Sequence, residues 1–243
     1  MKTVLITGAN KSIGFETAKQ LTTQGHKVYV GSRDLQKGEA AVAQLKEQGA
    51  QNVEAIQIDI TDRPSIQAAS ERVGRQEGQL DILINNAGIS GDQQQAPSSV
   101  STDEIRKVFD TNFFGTIDVT QAFMDLLKKS DQPRIVNVTS GLGSLTQVNS
   151  TWWADIIMAA YGPSKTALNA YTNALARELK DTAFKINVVD PGYTATDFNN
   201  HSGPGTVEDA GAIIVKYALI GEDGPTGKFF SNDAPGEGDE CPW

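Results

Sequence analysis

Short apolar runs alternate with amphipathic stretches along nearly the whole chain. The apolar, β-branched runs predict strands near residues 2–7, 27–31, 53–58, 80–84, 133–139, 184–190 and 227–231. Apolar residues at helical spacing predict helices near residues 13–24, 34–48, 63–77, 101–130, 162–180 and 206–219. This alternation predicts an α/β fold, with one doubly wound parallel sheet of about seven strands and helices on both faces.

The same pattern predicts a single domain over residues 1–243, without an internal repeat or a second domain. Pro163 suits the first turn of its helix, where a missing amide costs little, and this places Tyr161 at the helix entry. Two polar segments, Gly91 to Thr102 and Asn232 to Trp243, are predicted to be mobile loops.

The first predicted strand leads into a glycine-rich turn, Gly8-Ala9-Asn10-Lys11-Ser12-Ile13-Gly14, and then into a helix. Gly8 lets the chain turn sharply, and Gly14 lets the helix lie close to the strand. The amides of the first helical turn then form a site for the pyrophosphate of a dinucleotide. Because glycines also end strands for purely conformational reasons, the turn alone is weak evidence for such a ligand.

Three other polar motifs follow predicted strands. They are Asn85-Asn86-Ala87-Gly88, the pair Thr139-Ser140, and Asp190-Pro191-Gly192-Tyr193-Thr194-Ala195-Thr196. In an open parallel sheet the carboxyl ends of the strands line the ligand crevice. We therefore predict that all four motifs converge on one site.

Tyr161 and Lys165 are four residues apart, which places a phenol and an ammonium on one face of a helix. Free tyrosine and lysine titrate at about 10 and about 10.4, so each alone is a poor acid or base at neutral pH. A positive charge beside the phenol is expected to lower the pKa of Tyr161 and to make it a proton donor. The alternative is an amphipathic helix with a solvated lysine.

Taken together and in this order, the motifs resemble the short-chain dehydrogenases/reductases, a family with a Rossmann-type fold, over nearly the whole chain. The shared elements are Thr-Gly-x-x-x-x-x-Gly, Asn-Asn-Ala-Gly, a strand-end Ser, Tyr-x-x-x-Lys and Pro-Gly. A closer resemblance to the carbonyl-reductase-like members is carried by Gly8 to Lys11, Gly141 to Leu145 and Asp190 to Asp197.

The resemblance implies a catalytic tetrad of Asn112, Ser140, Tyr161 and Lys165. Tyr161 would protonate the carbonyl oxygen of the substrate while Ser140 donates a hydrogen bond to it. Lys165 would bind the nicotinamide ribose, and Asn112 would hold a water that links Lys165 to solvent. Asn112 as a helix cap and Ser140 as a turn hydroxyl are the structural alternatives.

The resemblance also implies a set of cofactor-binding residues: Gly8, Asn10, Lys11, Ser12, Ile13, Gly14, Arg33, Asp59, Ile60, Asn86, Ala87, Gly88, Tyr161, Lys165, Pro191, Gly192, Tyr193, Thr194 and Thr196. Ser12 departs from the family pattern, because it stands where the turn usually has its middle glycine. Its hydroxyl is able to donate to a phosphate oxygen, but a serine is less permissive of positive φ.

The end of the second predicted strand bears on the choice of cofactor. An NAD site usually carries an acidic residue there, whereas Gly31-Ser32-Arg33 has none. The planar guanidinium of Arg33 is instead suited to bind a phosphate through two hydrogen bonds. With Lys11 as a second positive charge, this favours NADPH over NADH. Alternatively, both cations are solvated and Asp34 accepts the ribose hydroxyl instead of capping the next helix. Asp59 either contacts the adenine edge or caps a helix near Pro64.

Composition limits the possible partners. The net charge of −9 argues against nucleic acid and anionic membranes. The single cysteine, Cys241, cannot form an internal disulfide, so we expect a cytoplasmic protein. No apolar run approaches the ~20 residues that span a bilayer, and the short apolar start is not expected to be a signal peptide. No His/Cys cluster indicates a metal site.

The substrate is predicted less sharply. The segment between Ser140 and Tyr161 is longer than is usual for the family, and the insertion at about 145–160 is expected to form a short helix near the pocket mouth. An apolar pocket for a small hydrophobic or aromatic carbonyl compound is predicted from Leu142, Trp152, Trp153, Tyr193 and Phe198. The tryptophans alternatively pack structurally or cover a neighbouring subunit.

The leading hypothesis is therefore an enzyme that reduces a ketone or aldehyde with NADPH. The loop at about 191–205 is expected to act as a mobile lid, with His201 on the surface. A catalytically silent NADP-binding sensor or scaffold of the same fold is the alternative. A nucleotide-sugar epimerase also uses Tyr-x-x-x-Lys but is expected to have a longer C-terminal part. Whether the protein is a monomer or a homo-oligomer stays open.

Overall fold

The computed structural model describes residues 1–149, 152–235 and 238–243, and of Trp152 it describes only the backbone. Seven strands form one parallel sheet in the order β3-β2-β1-β4-β5-β6-β7. Their bounds are β1 Thr3–Ile6, β2 Lys27–Ser32, β3 Val53–Gln57, β4 Ile82–Asn85, β5 Arg134–Val138, β6 Lys185–Asp190 and β7 Phe229–Ser231. The predicted doubly wound sheet is confirmed.

Helices cover both faces of the sheet. Their bounds are α1 Ser12–Thr23, α2 Leu35–Glu47, α3 Arg63–Glu77, α4 Thr102–Phe109, α5 Thr116–Leu127, α6 Tyr161–Glu178 and α7 Val207–Ala218. Side chains that alternate along a strand point to opposite faces, so in β1 Val4 and Ile6 pack with α1, α2 and α7. Leu5 instead packs on the other face with residues of α3, α5 and α6. Both faces are therefore buried, which explains the uninterrupted apolar runs.

The predicted helix over 101–130 is interrupted. Between α4 and α5 the chain forms a π-helical turn, Asp110–Gly115. Insertion of one extra residue into a helix produces such a turn, and π-turns are frequent at functional sites. The continuous apolar periodicity of this stretch gives no sign of it.

Both segments predicted to be mobile are packed against the domain. In the first, Gln95 is buried, with 1% of its surface exposed. In the second, Phe230 forms an antiparallel bridge with Glu240, and Cys241 is buried. The carbonyl oxygens of Pro242 and Trp243 accept hydrogen bonds from the Ser144 and Thr146 hydroxyls, 2.7 Å each. The polar composition predicted loops correctly, but hydrogen bonds to the rest of the chain hold the described parts of these loops in place.

Within the described ranges, no helix has the length and apolar character needed to span a membrane. The same part of the chain contains no group of three or more His, Cys, Asp or Glu side chains arranged to hold a metal ion.

Candidate active site

The glycine-rich turn lies directly against the end of β4. Gly8 has a φ of +64°, and a Cβ there would lie 2.9 Å from the Ala87 Cα. A Cβ on Gly14 would lie 2.6 Å from Asn86 Nδ2, so neither position accepts a side chain without movement. Asn86 Nδ2 donates to the carbonyl oxygens of Thr7 and Gly8, at 2.9 and 3.1 Å. The turn is therefore fixed by the strand-end amide, and Asn10 and Ile13 are partly buried beside it.

Ser12 adopts a φ of +51°, in the left-handed region. A side chain is disfavoured there because its Cβ approaches the following carbonyl oxygen. The turn thus keeps the conformation that a glycine would provide, although a serine occupies the position. The neighbouring Lys11 is largely exposed, and its Nζ lies 3.1 Å from Asp197 Oδ2 in the loop that follows β6.

A groove of about 510 Å³ lies beside the ends of β2 and β3, and its lining includes Arg33, Gln57, Asp59 and Arg72. Arg33 forms no ion pair with any residue that the structure describes. Asp34 is the N-cap of α2 and accepts from Lys37 N at 3.2 Å, so its carboxylate already has a structural partner. This favours the capping alternative for Asp34.

Asp59 does not cap α3, because the N-cap of that helix is Asp62. Its Oδ1 instead accepts from the amide and the hydroxyl of Thr61, at 2.9 and 2.8 Å. The next residue, Ile60, is buried. Asp59 therefore shapes the turn at the floor of the groove.

Tyr161, Ser140 and Lys165 come together at the ends of β5 and β6. Tyr161 is the first residue of α6, and its hydroxyl lies near the Ser140 side chain, which acts to lower the pKa of the phenol. Lys165 Nζ lies 5.7 Å from the centroid of the Tyr161 ring and donates to the Val138 carbonyl at 2.9 Å. All three side chains are buried, with 8%, 7% and 4% exposed. Ser140 also accepts from Leu142 N at 3.2 Å, so it serves a local turn as well.

The expected lowering of the Tyr161 pKa is wrong for this structure. Burial, reinforced by the charge of Asp190, raises the pKa of Tyr161, and the Ser140 side chain only partly opposes this. Burial also lowers the pKa of Lys165 to about 8, against the opposing charge of Asp190. Because low dielectric disfavours each charged form, both pKa values move toward neutral species. The phenol therefore stays protonated at neutral pH.

Asp190 is a buried carboxylate behind this pair. Its Oδ1 accepts from Gly192 N at 3.0 Å, and its Oδ2 accepts from the Ser231 hydroxyl at 2.7 Å. Burial raises the pKa of Asp190 to about 6, although these hydrogen bonds lower it. At neutral pH it therefore carries a negative charge that favours the charged form of Lys165.

Asn112 lies in the π-helical turn and is completely buried. Its Oδ1 accepts from Ile89 N at 2.8 Å, and its Nδ2 donates to the Ile89 carbonyl at 2.9 Å. The Nδ2 also donates to Ser164 Oγ at 3.1 Å, and Ser164 donates to the Tyr161 carbonyl at 2.7 Å. Asn112 thus fastens the β4 end to the first turn of α6 rather than capping a helix.

Gly88 lies directly beside these groups. A Cβ at this position would lie 3.2 Å from Asn112 Oδ1 and 3.6 Å from Lys165 Nζ. Because the residue is a glycine, no side chain fills the space next to Lys165 Nζ. The arrangement fits a nicotinamide ribose, and the turn at Gly8 and Gly14 fits a pyrophosphate.

Tyr161 also belongs to an apolar cluster. The cluster contains Leu142, Trp153 and Tyr161, with Tyr193 packed against it. A Cβ on Gly141 would lie 2.6 Å from the Trp153 ring, so the glycine makes room for the indole. The insertion forms short 3₁₀ helices, Gln147–Asn149 and Trp152–Asp155, as expected. The predicted pocket role of the Trp152 side chain lies outside the described residues.

The loop at 191–205 folds over this cluster. The ring of Phe198 lies 5.4 Å from the ring of Tyr161, and 43% of Phe198 is exposed. Thr196 caps the short helix Asp197–Asn199, and Thr194 bonds back to the Pro191 carbonyl at 3.3 Å. At the start of the loop Gly192 has a φ of +81°. His201 is exposed and pairs with Asp197 at 3.0 Å, as expected for a surface residue.

The roles of Asp190, Ser164 and Gln95 were not predicted from the sequence. Asp190 ends β6, and an acidic residue next to the apolar pair Val188-Val189 was the signal that a buried charge was present. For Gln95, three successive glutamines in a polar loop gave no signal that one of them is buried.

Comparisons with known proteins agree with this geometry. A family model described as short chain dehydrogenase matches residues 2–206. A (+)-neomenthol dehydrogenase from Capsicum annuum is 33% identical, with 93% of this chain and 94% of the relative covered. The alignment extends over 297 positions, more than the 243 residues of this chain, so the relative carries segments without a counterpart here.

Solved structures give the same result. Salutaridine reductase from Papaver somniferum superposes with a TM-score of 0.84 at 29% identity, over 96% of this chain and 100% of that one. An NADPH-bound carbonyl reductase from chicken fatty liver superposes with a TM-score of 0.86 at 26% identity, over 100% of this chain and 99% of that one. This chain belongs to the short-chain dehydrogenase family.

Proposed function

We propose that this protein reduces a ketone or aldehyde to an alcohol with NADPH. The observation that carries the proposal is the buried cluster of Tyr161, Ser140 and Lys165, in which Lys165 lies next to Gly88 and Tyr161 packs with Leu142 and Trp153. The surroundings of Lys165 thus suit a cofactor, and those of Tyr161 suit an apolar substrate.

Tyr161 acts as the general acid. Because burial raises its pKa, the phenol is protonated at neutral pH and donates its proton as negative charge develops on the carbonyl oxygen. Ser140, whose side chain lies near the Tyr161 hydroxyl, donates its one hydroxyl hydrogen to the same carbonyl oxygen. The carbon receives a hydride and the oxygen a proton, which balances the reduction of C=O to an alcohol.

Lys165 and Asn112 support this step. The Lys165 ammonium, next to Gly88, binds the ribose hydroxyls and favours the phenolate that remains after proton transfer. Asn112, which accepts from Ile89 N and donates to the Ser164 hydroxyl, ties the loop after β4 to the residue that precedes Lys165. Asn112 also holds the water that returns protons to Lys165.

NADPH supplies the hydride when it is bound. Its pyrophosphate is held by the turn from Gly8 to Gly14, where Asn10, Lys11, Ser12 and Ile13 contribute backbone amides or side chains. Its 2′-phosphate is held by Arg33, which has no ionic partner within the described chain and whose fork suits phosphate. The remaining contacts are with Asp59, Ile60, Asn86, Ala87, Gly88 and the loop residues Pro191, Gly192, Tyr193, Thr194 and Thr196.

The substrate is a small hydrophobic carbonyl compound. Leu142, Trp153, Tyr193 and Phe198 offer apolar and aromatic surface next to Tyr161. Relatives support this class, since one is named for the dehydrogenation of neomenthol and another for the reduction of salutaridine. The solved carbonyl reductase supports the choice of NADPH.

A spectrophotometric screen of carbonyl compounds with NADPH and NADH tests this function. The wild type is expected to oxidise NADPH with hydrophobic ketones or aldehydes. Tyr161→Phe should retain NADPH binding to within about twofold and lose reduction by more than about 100-fold, because only the transferred proton is removed. Tyr171→Phe, on the same helix, is the matched control and should keep full activity. A wild type that binds NADPH but reduces no compound would contradict the proposal and favour a silent sensor.

A further inference from the structure

The start of α6 has no cap of its own. An N-terminus leaves its first amides without helical partners, and the N-cap residue here, Ala160, has no side chain able to accept from them. Gly162 N donates to the Met158 carbonyl at 2.9 Å, and Pro163 has no amide hydrogen. Two donors remain to be satisfied at this helix end, the amides of Ala160 and of Tyr161.

Both of these amides donate to one oxygen of a distant side chain. Ala160 N and Tyr161 N lie 2.9 and 3.0 Å from Gln95 Oε1. Gln95 belongs to the loop between β4 and α4, and its own carbonyl accepts from Ala159 N at 3.1 Å. The residue is 1% exposed, so water does not compete for these bonds.

The other end of the Gln95 amide is equally engaged. Its Nε2 donates to the carbonyls of Ser90 and Asp92, at 2.6 and 2.7 Å. A glutamine amide offers two donors and one oxygen with two lone pairs, and all of them are used. Rotation of this amide would break all four bonds together. The amide therefore fixes the distance between the loop that follows β4 and the start of α6.

We propose that Gln95 is a positioning residue for Tyr161 in the reduction proposed above. Tyr161 is both the proposed proton donor and one of the residues whose amide Gln95 accepts from. The four hydrogen bonds of the Gln95 side chain, called the Gln95 clamp below, set where the helix begins. They therefore set where the phenol lies relative to Ser140 and Lys165. A misplacement of about 1 Å in such a group costs about 100-fold in rate, so the clamp acts on the chemical step.

Gln95→Met tests the proposal, because methionine has a similar shape but supplies none of the four bonds. We expect kcat to fall by about 10- to 100-fold while the Kd for NADPH, measured by fluorescence, changes by less than about twofold. Hydrogen exchange, read by mass spectrometry, should become faster at the amides of Ala160 and Tyr161. Gln94→Met, in the same loop but exposed, is the matched control and should change neither quantity.

Gln95→Glu separates positioning from general stability. Glutamate still accepts from both amides but cannot donate to Ser90 or Asp92, so it should recover part of the kcat lost in Gln95→Met. Its charge near Tyr161 should also raise the pKa of the phenol and move the acidic limb of alcohol oxidation to higher pH.

Three results would overturn the proposal. The first is an unchanged kcat and an unchanged exchange rate in Gln95→Met. The second is an equal loss in kcat and in NADPH binding. The third is no difference between the Met and Glu variants in either kcat or pH profile. An inactive wild type would instead contradict the proposed function, and in that case the exchange of the two amides still decides whether the clamp exists.

Discussion

The centroids of the Phe198 and Tyr161 rings lie 5.4 Å apart. Phe198 belongs to a short helix in the loop that follows β6, with 43% of its surface exposed. This contact places a partly exposed aromatic side chain directly beside the proposed proton donor. It also limits the room for a substrate at the phenol.

We expect Phe198→Ala to change substrate preference. Removal of the ring opens space beside Tyr161, so the ratio of kcat/KM for bulky over small ketones should rise by at least about fivefold. The measurement is steady-state kinetics with a graded series of ketones. Phe114→Ala, which removes an exposed phenylalanine on the π-helical turn, should leave the ratio unchanged. An unchanged ratio in Phe198→Ala would show that this ring does not border the substrate.

Asp197→Asn is expected to strengthen NADPH binding. Asp197 holds Lys11 at 3.1 Å, and its charge competes with a phosphate for that lysine. Because the pair is exposed and screened by solvent, the gain should be small, at most about fivefold in Kd. Fluorescence titration at low and high salt measures this gain, which should shrink as salt screens the charges. Weaker binding in this variant would mean that Asp197 orders the loop rather than opposing the phosphate.

Arg33→Ala is expected to weaken NADPH and to spare NADH. A charge-assisted hydrogen bond to phosphate contributes about 1.5–3 kcal/mol, so the Kd for NADPH should rise about 10- to 100-fold. Lys37→Ala removes a nearby positive charge that does not line the groove, and it serves as the control. Equal losses for both cofactors would contradict the 2′-phosphate assignment.

Asp190→Asn should alter the pH profile of reduction. The charge of Asp190 raises the pKa of Lys165, which burial holds at about 8, so its removal lowers that pKa further. Loss of the ammonium then begins at lower pH, and the alkaline limb of kcat/KM should move down by at least about half a unit. Since the pKa of Asp190 is about 6, wild type and variant should converge below that pH. An upward shift would exclude this coupling.

Ser12→Gly is expected to stabilise the protein. Ser12 has a φ of +51°, which costs a non-glycine residue about 1–2 kcal/mol and costs glycine little. For a domain of this size that gain raises Tm by about 2–4 °C per kcal/mol, measurable by calorimetry. Ser98→Gly, at an exposed position without positive φ, is the control and should not stabilise. A lower Tm in Ser12→Gly would mean that the serine hydroxyl holds the turn.

Sequence alone predicted the sheet and the convergence of motifs because the strands other than β3 are buried on both faces and all strands end at the same edge. Gly8, Gly14, Ser140, Tyr161 and Lys165 follow from that logic. The raised pKa of Tyr161 was not predicted from the sequence. The neighbouring lysine is visible in the sequence, whereas the burial of the phenol and the nearby charge of Asp190 arise from the tertiary fold. The same holds for Gln95, whose two partner amides at the start of α6 are 65 and 66 residues away along the chain.

The π-helical turn Asp110–Gly115 holds one residue more than a regular α-helical turn would. One deletion in this turn would therefore restore a regular α-helix and keep α4 and α5 in phase, so Glu104 would still reach Asp92 N and Thr120 would still meet Asn85. What depends on the extra residue is the local placement of Asn112, which makes the bulge a constraint on the site in any redesign of this scaffold.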